Sequence, residues 1–185
     1  MHIGNIYKSD IANGVGVRVS LFVSGCTLNC DGCFNSEAWD FNYGKEYTLE
    51  IEDSLIEELS LPQYDGLSIL GGEPFEYINQ SYLVGLILKI KRELPEKTIW
   101  MYTGNVYERD LVPGGYRYYP DFTDNILDNI DILVDGPFMK DLCNLTLRFR
   151  GSENQRIINM RQTRKQGKVI LHKLNEFIPM KRGDL

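Results

Sequence analysis

Long apolar runs are missing from this chain. No stretch reaches the roughly 18 consecutive apolar residues expected of a membrane helix, and the first residues lack the pattern of a secretory leader. The expectation is a cytoplasmic protein whose thiols stay reduced. Positive charge is not in excess either: 20 Lys and Arg against 26 Asp and Glu leave a net charge of -6, which argues against nucleic acid as the main partner. There is no internal repeat and no low-complexity segment. Histidine is nearly absent, with only His2 and His172, far apart in sequence. At 185 residues the chain suits one domain with a substantial core. It is short of the roughly 250 residues typical of a closed eight-fold barrel.

What the chain does contain is a knot of thiols. Cys26, Cys30 and Cys33 follow a C-x3-C-x2-C spacing within Ser24 to Asn35. The alternating run 15–23 that precedes them reads as a strand, so the cysteines occupy a loop at its C-terminal end, where open α/β folds bind ligands. A cubane iron-sulfur cluster usually takes four thiolates. Three leave one iron open, and an open metal position is where substrate binds. Gly25 and Gly32 let the backbone wrap closely and aim amides at sulfide. A structural zinc site is the competing reading, but it asks for a fourth Cys or His nearby. Cys143 has no partner at motif spacing and reads as a free thiol.

Strand and helix patterns then alternate, which predicts an α/β protein with a parallel sheet. A helix is expected over 49–60, with Ile51, Leu55 and Leu59 on its apolar face and a solvated acidic face opposite. Further helices are expected over 81–94, ended by Pro95, and over 123–130, capped by Thr123 or Asp124. Strands are expected at 66–70, 98–102, 131–134 and 168–171, with a loose tail past Phe177. Four strand ends carry Gly-rich or polar tips, and in a βαβ array such tips converge on one edge. Gly71 and Gly72 expose main chain to a ligand ammonium, the bland alternative being a turn with Glu73 exposed. Thr103 and Asp135 offer a hydroxyl and a carboxylate, or else serve as turn anchors. Asn35 either shapes the pocket or makes a local turn bond. Asn13-Gly14-Val15-Gly16 precedes a strand and lacks a third glycine, so it reads as a turn, not a nucleotide loop.

The cysteine loop resembles the cluster motif of radical S-adenosylmethionine enzymes, and Gly71-Gly72-Glu73-Pro74 resembles the motif that holds the methionyl amino group in that family. Several further stretches are similar to the activating enzymes of anaerobic ribonucleoside-triphosphate reductase: 13–18, 100–104, 131–138 and 148–156. The similarity runs from about residue 3 to 172. It implies a partial, open (βα)6-type radical barrel with parallel strands over 1–177, followed by a loose tail at 178–185. It also implies a 4Fe-4S cluster on Cys26, Cys30 and Cys33, with S-adenosylmethionine held by Gly71, Gly72, Glu73, Thr103, Asp135 and Asn35. The implied reaction is reductive cleavage of that cofactor to a 5′-deoxyadenosyl radical, which takes a hydrogen from a glycine of the reductase. A flavodoxin- or ferredoxin-type electron donor is implied as well. The alternatives are activation of another glycyl-radical enzyme of the pyruvate formate-lyase type and a non-catalytic metal or electron-transfer module.

Two positions depart from the wider pattern. Gly32 stands where many radical enzymes carry an aromatic residue, and Tyr102 stands where the pyruvate formate-lyase activators carry an acid. Arg148, Arg150 and Arg156 gather around Gly151. They meet a carboxylate of the cofactor or partner, or they are the wet face of a half-exposed strand in which Leu145, Leu147 and Phe149 alternate inward.

Overall fold

The computed structural model describes residues 1–176; the tail expected at 178–185 lies outside the described residues. In chain order the elements are β1 His2–Asp10, β2 Arg18–Val23, β3 Lys45–Glu46, α1 Leu49–Ser60, β4 Gly66–Gly71, α2 Tyr77–Glu93, β5 Thr98–Tyr102, α3 Tyr107–Asp110, α4 Thr123–Asn129, β6 Ile132–Asp135, β7 Arg156–Asn159 and α5 Met160–Gln166. The strands form one mixed seven-stranded sheet in the order β3-β1-β2-β4-β5-β6-β7. Neighbours β2, β4, β5 and β6 are parallel. Both margins are antiparallel: β1 returns along β2, β3 along β1, and β7 along β6. The sheet is open, so the expectation of parallel strands throughout holds only for its centre.

The three helices that the pattern predicts are present, α2 beginning four residues early at Tyr77, whereas α3 and α5 have no counterpart among the expectations. Thr48 caps α1 by accepting from the Ile51 amide at 3.4 Å, and Glu50 and Glu52 in the first turn suit the positive end of the helix dipole. Leu55, Ile56 and Leu59 are its buried residues. Lys89 of α2 reaches Glu52 and Asp53 across the helix pair. The cap of α4 differs from expectation. Phe122 takes the position without a side-chain bond, because the Thr123 hydroxyl is drawn inward to Gln80 at 2.7 Å. No strand forms at 168–171: only Leu171 bridges Ile158, and 160–166 has become α5 instead.

Strand alternation sorts the sheet into two faces. Val19, Leu21, Leu67, Ile69, Ile99, Met101, Leu133 and Ile158 join the main core with the helices. The alternate residues Trp100, Ile132, Val134 and Ile157 build a second, smaller cluster, covered by Tyr102, Phe149 and Leu174. Arg18 is fully buried beside that cluster and stacks on Trp100 at 5.6 Å. Its five N–H groups are all used: one on the Ser68 hydroxyl, the others on Val15, Leu67 and Thr98 oxygens. Desolvation pulls its pKa down to about 10. The Asn13-to-Gly16 turn serves this burial, since a Cβ on Gly14 would lie 2.7 Å from the Arg18 side chain.

Candidate iron-sulfur and cofactor site

The cysteine loop leaves β2 at Ser24 and is stitched at once to its neighbours. The Gly25 amide donates to Ala38 at 2.8 Å and the Cys26 amide to Trp39 at 3.2 Å. From β4, the Gly72 amide reaches Val23 at 2.7 Å and the Glu73 amide reaches Gly25 at 2.8 Å. This approach demands glycine. A Cβ on Gly72 would sit 2.5 Å from the Gly25 carbonyl oxygen, and Gly71 has φ 115°. Asn79 of α2 then donates to both Ser24 and Glu73 carbonyls.

A second tie runs through Thr27, the residue after Cys26. Its amide and hydroxyl both donate to Glu76 Oε1, at 2.8 and 2.7 Å. Arg117, from the segment between α3 and α4, holds Glu76 with both Nη atoms and reaches the Thr27 hydroxyl. Both side chains of this ion pair are buried. Sequence reading did not single out Thr27, Glu76 or Arg117, since their contacts span 41 to 90 positions.

Glu73 is completely buried. Its carboxylate accepts from the Phe75 amide and Thr103 hydroxyl at 2.8 Å and from the Gly104 amide at 2.9 Å. Burial pushes its pKa up to about 7 against those three donors. The exposed-turn alternative for Glu73 is therefore wrong. Thr103 also accepts from the amide and side chain of Asn105. The tips of β4 and β5 are thus locked through one carboxylate.

A single cavity is walled by Cys26, Cys30, Cys33, Gly71, Gly72, Glu73 and Thr103. Asp135 and Asn35 are not part of this wall. Asp135 is buried at the tip of β6, where it accepts from the Tyr107 amide at the start of α3 and from Arg156. Asn35 precedes the helical turn Ser36–Trp39, with no capping bond from its side chain. Arg156 lies on β7 and bridges Asp135 to Glu108. Arg150 donates to the Gln155 carbonyl at 2.9 Å, and Arg148 is exposed. The half-exposed strand expected at 145–149 is absent: these residues form turns and bends, and Leu145 is 97% exposed.

A family model described as a 4Fe-4S single cluster domain matches residues 12–158. The anaerobic ribonucleoside-triphosphate reductase-activating protein of Vibrio cholerae is 38% identical over 158 residues, covering 84% of this chain and 96% of its own. Its Salmonella typhimurium counterpart is 37% identical over 163 residues, covering 87% and 100%. The chain belongs to this activating-protein family. The counterpart from Enterobacteria phage T4 is 34% identical, over 85% of this chain and 93% of its own.

The donor set of this activating protein fits an iron-sulfur cluster. Burial pushes the Cys26 thiol up to about 11 and the Cys30 thiol upward as well. Glu73 and Glu76 add to the rise at Cys26. Iron supplies the positive charge that such thiolates need. The main chain at Leu28 and at Phe138 works against that rise at Cys26 and at Cys30. Among the described residues, no three His, Cys, Asp or Glu side chains gather tightly enough for a single ion.

Proposed function

We propose that this activating protein generates the glycyl radical of an anaerobic ribonucleoside-triphosphate reductase. Cys26, Cys30 and Cys33 hold the 4Fe-4S cluster, and the open sheet acts as a partial radical S-adenosylmethionine barrel. When bound, the reduced cluster supplies one electron for reductive cleavage of S-adenosylmethionine, and the resulting radical chemistry is directed at a glycine hydrogen of the reductase.

The chain's own contribution is placement. Gly71 and Gly72 offer main chain to the cofactor's ammonium, and buried Glu73 lies behind them on the β4 tip. Thr103 fixes the Glu73 carboxylate by donating to it. Asp135 acts at one remove from the cofactor, anchoring the start of α3 through the Tyr107 amide, and Asn35 follows Phe34 of the cavity wall. Thr27, Glu76 and Arg117 keep the cysteine loop against α2. A flavodoxin- or ferredoxin-type protein delivers the electron.

The observation that carries this reading is the common wall shared by the three thiols and the Gly71-Gly72 edge. The test is electron paramagnetic resonance after anaerobic incubation with the reductase, S-adenosylmethionine and dithionite. A glycine-centred doublet is expected, together with 5′-deoxyadenosine in the chromatogram. If deoxyadenosine is absent from a sample whose cluster is intact, a non-catalytic metal module is the better description.

A further inference from the structure

Most of the cysteine loop is fastened by neutral groups: the Gly25 and Cys26 amides, and the Asn79 side chain on the Ser24 carbonyl. The tie at Thr27 instead uses charge. Glu76 and Arg117 are 5% and 7% exposed, and they meet as a two-pronged pair, Nη1 donating to one carboxylate oxygen and Nη2 to the other. Burying such a pair is costly unless its geometry is closely held. Here it is held from two sides. The Arg117 main chain donates to the Asp110 carbonyl at 3.1 Å and accepts from the Gln80 side chain at 3.0 Å. The Tyr116 ring lies against the guanidinium at 5.0 Å, while its hydroxyl donates to Asn105, which donates in turn to Thr103. Arg117 is thus braced against both α2 and the β5 tip.

The surroundings of the pair make its charge matter. Glu76 accepts from the residue next to Cys26 and pushes the Cys26 thiol upward; the wholly buried Glu73 does the same. A thiolate and an electron added to a cluster place negative charge in the same region, so what disfavours one disfavours the other. Arg117 opposes both carboxylates. It pairs with Glu76 directly, and it draws the Glu73 carboxyl downward against burial. Lys140 faces Asp31 of the loop at 3.9 Å, but both side chains are exposed, where solvent and salt screen them.

We propose that the Glu76–Arg117 pair sets the reduction potential of the cluster, with Arg117 favouring the reduced form and Glu76 opposing it. Both are positioning residues that act at one remove, beside Thr27. Reduction takes one electron from an external reductant, makes and breaks no bond, and leaves the cluster with its thiolates more negative. A buried cation at the loop therefore stabilises the reduced state, and a buried anion destabilises it. Paired, the two effects offset. Removing one partner unmasks the other. This inference rests on cluster ligation by Cys26, Cys30 and Cys33 and deepens that reading.

The experiment is an anaerobic redox titration of the cluster-loaded full chain without S-adenosylmethionine, read by electron paramagnetic resonance of the reduced cluster. Glu76→Gln keeps an acceptor for Thr27 and removes the negative charge. It is expected to raise the ratio of reduced to oxidised cluster at a fixed potential about 10-fold, which is about 59 mV for a one-electron couple. Adding Arg117→Gln removes both charges and strands no ion, and should return the potential to that of the unaltered protein. Thr27→Val disturbs the tie without changing charge, and should move the ratio less than about 3-fold. Arg117→Lys keeps the charge and loses the fork, and should hold the potential. Iron content per chain verifies loading. An unmoved or lowered potential in Glu76→Gln overturns the proposal. So does a double variant that stays at the Glu76→Gln value, and so does a shift in Thr27→Val as large as that in Glu76→Gln, which would assign the effect to loop geometry. Should Glu76→Gln shed its iron, a lowered potential in Arg117→Lys overturns the proposal by itself. Absence of a cluster signal from the unaltered, reductant-treated protein counts against the cluster reading; a normal signal with unmoved variants counts against the charge pair alone.

Discussion

Four thiols of the same residue type have different surroundings here. Cys26, Cys30 and Cys33 are half-buried on one wall, whereas Cys143 is exposed. Replacing any of the first three by Ala is expected to lower deoxyadenosine formation at least roughly 100-fold, beyond the effect of losing an outer-shell partner. Cys143→Ala should keep its iron and its cleavage rate, measured by iron content and chromatography. Glu73 makes a prediction about pH. Its folded pKa of about 7 stands above the ordinary 4.5, so between those values the native state binds more protons than the unfolded chain. Its contribution to stability is therefore full below pH 4.5 and declines as pH rises toward 7. Glu73→Gln should flatten that slope in urea titrations run at a series of pH values, with an amplitude of about 1–3 kcal/mol.

Loops at the ends of strands wall the thiol cavity, and what steadies them comes from elsewhere in the chain. The cysteine loop depends on the buried Glu76–Arg117 pair, which reaches it through Thr27. Arg117→Ala strands the Glu76 carboxylate without its cation, a change that costs about 3–5 kcal/mol for a buried pair. Expected outcomes are a lower melting temperature and loss of iron on gel filtration. Glu76→Gln should be milder, because an amide oxygen still accepts from Thr27. At the far side, Asp135, Arg156 and Glu108 tie β6, β7 and α3 together. That use of Arg156 explains why an arginine conspicuous in sequence is committed inside the chain.

Across the whole molecule, stability is unevenly distributed. One sheet face is sealed by α1, α2, α4 and α5 over the main core, while the other is closed by Phe149 and Leu174 over a small cluster. Hydrogen exchange should follow this division. Amides of β4 and β5, paired on both sides and buried, are expected to exchange slowest. Those of 145–150, which belong to no strand or bridge, should exchange within the fastest class. Comparable protection of 145–150 and β5 would mean that the second face is closed as firmly as the first.

The sequence by itself determined the parts that depend on near neighbours. Cysteine spacing named three thiols, hydrophobic periodicity placed α1 at Leu49–Ser60 and β5 at Thr98–Tyr102, and Gly71-Gly72 marked the β4 tip. Each is a local signal, because backbone geometry repeats every two or 3.6 residues. The tertiary structure alone decided the antiparallel margins, the burial of Glu73, the clamp on Thr27, and the sequestering of Asp135 away from the thiol wall. Hydrogen-bond satisfaction and desolvation arise between residues tens of positions apart, and no local pattern encodes which pairs will meet.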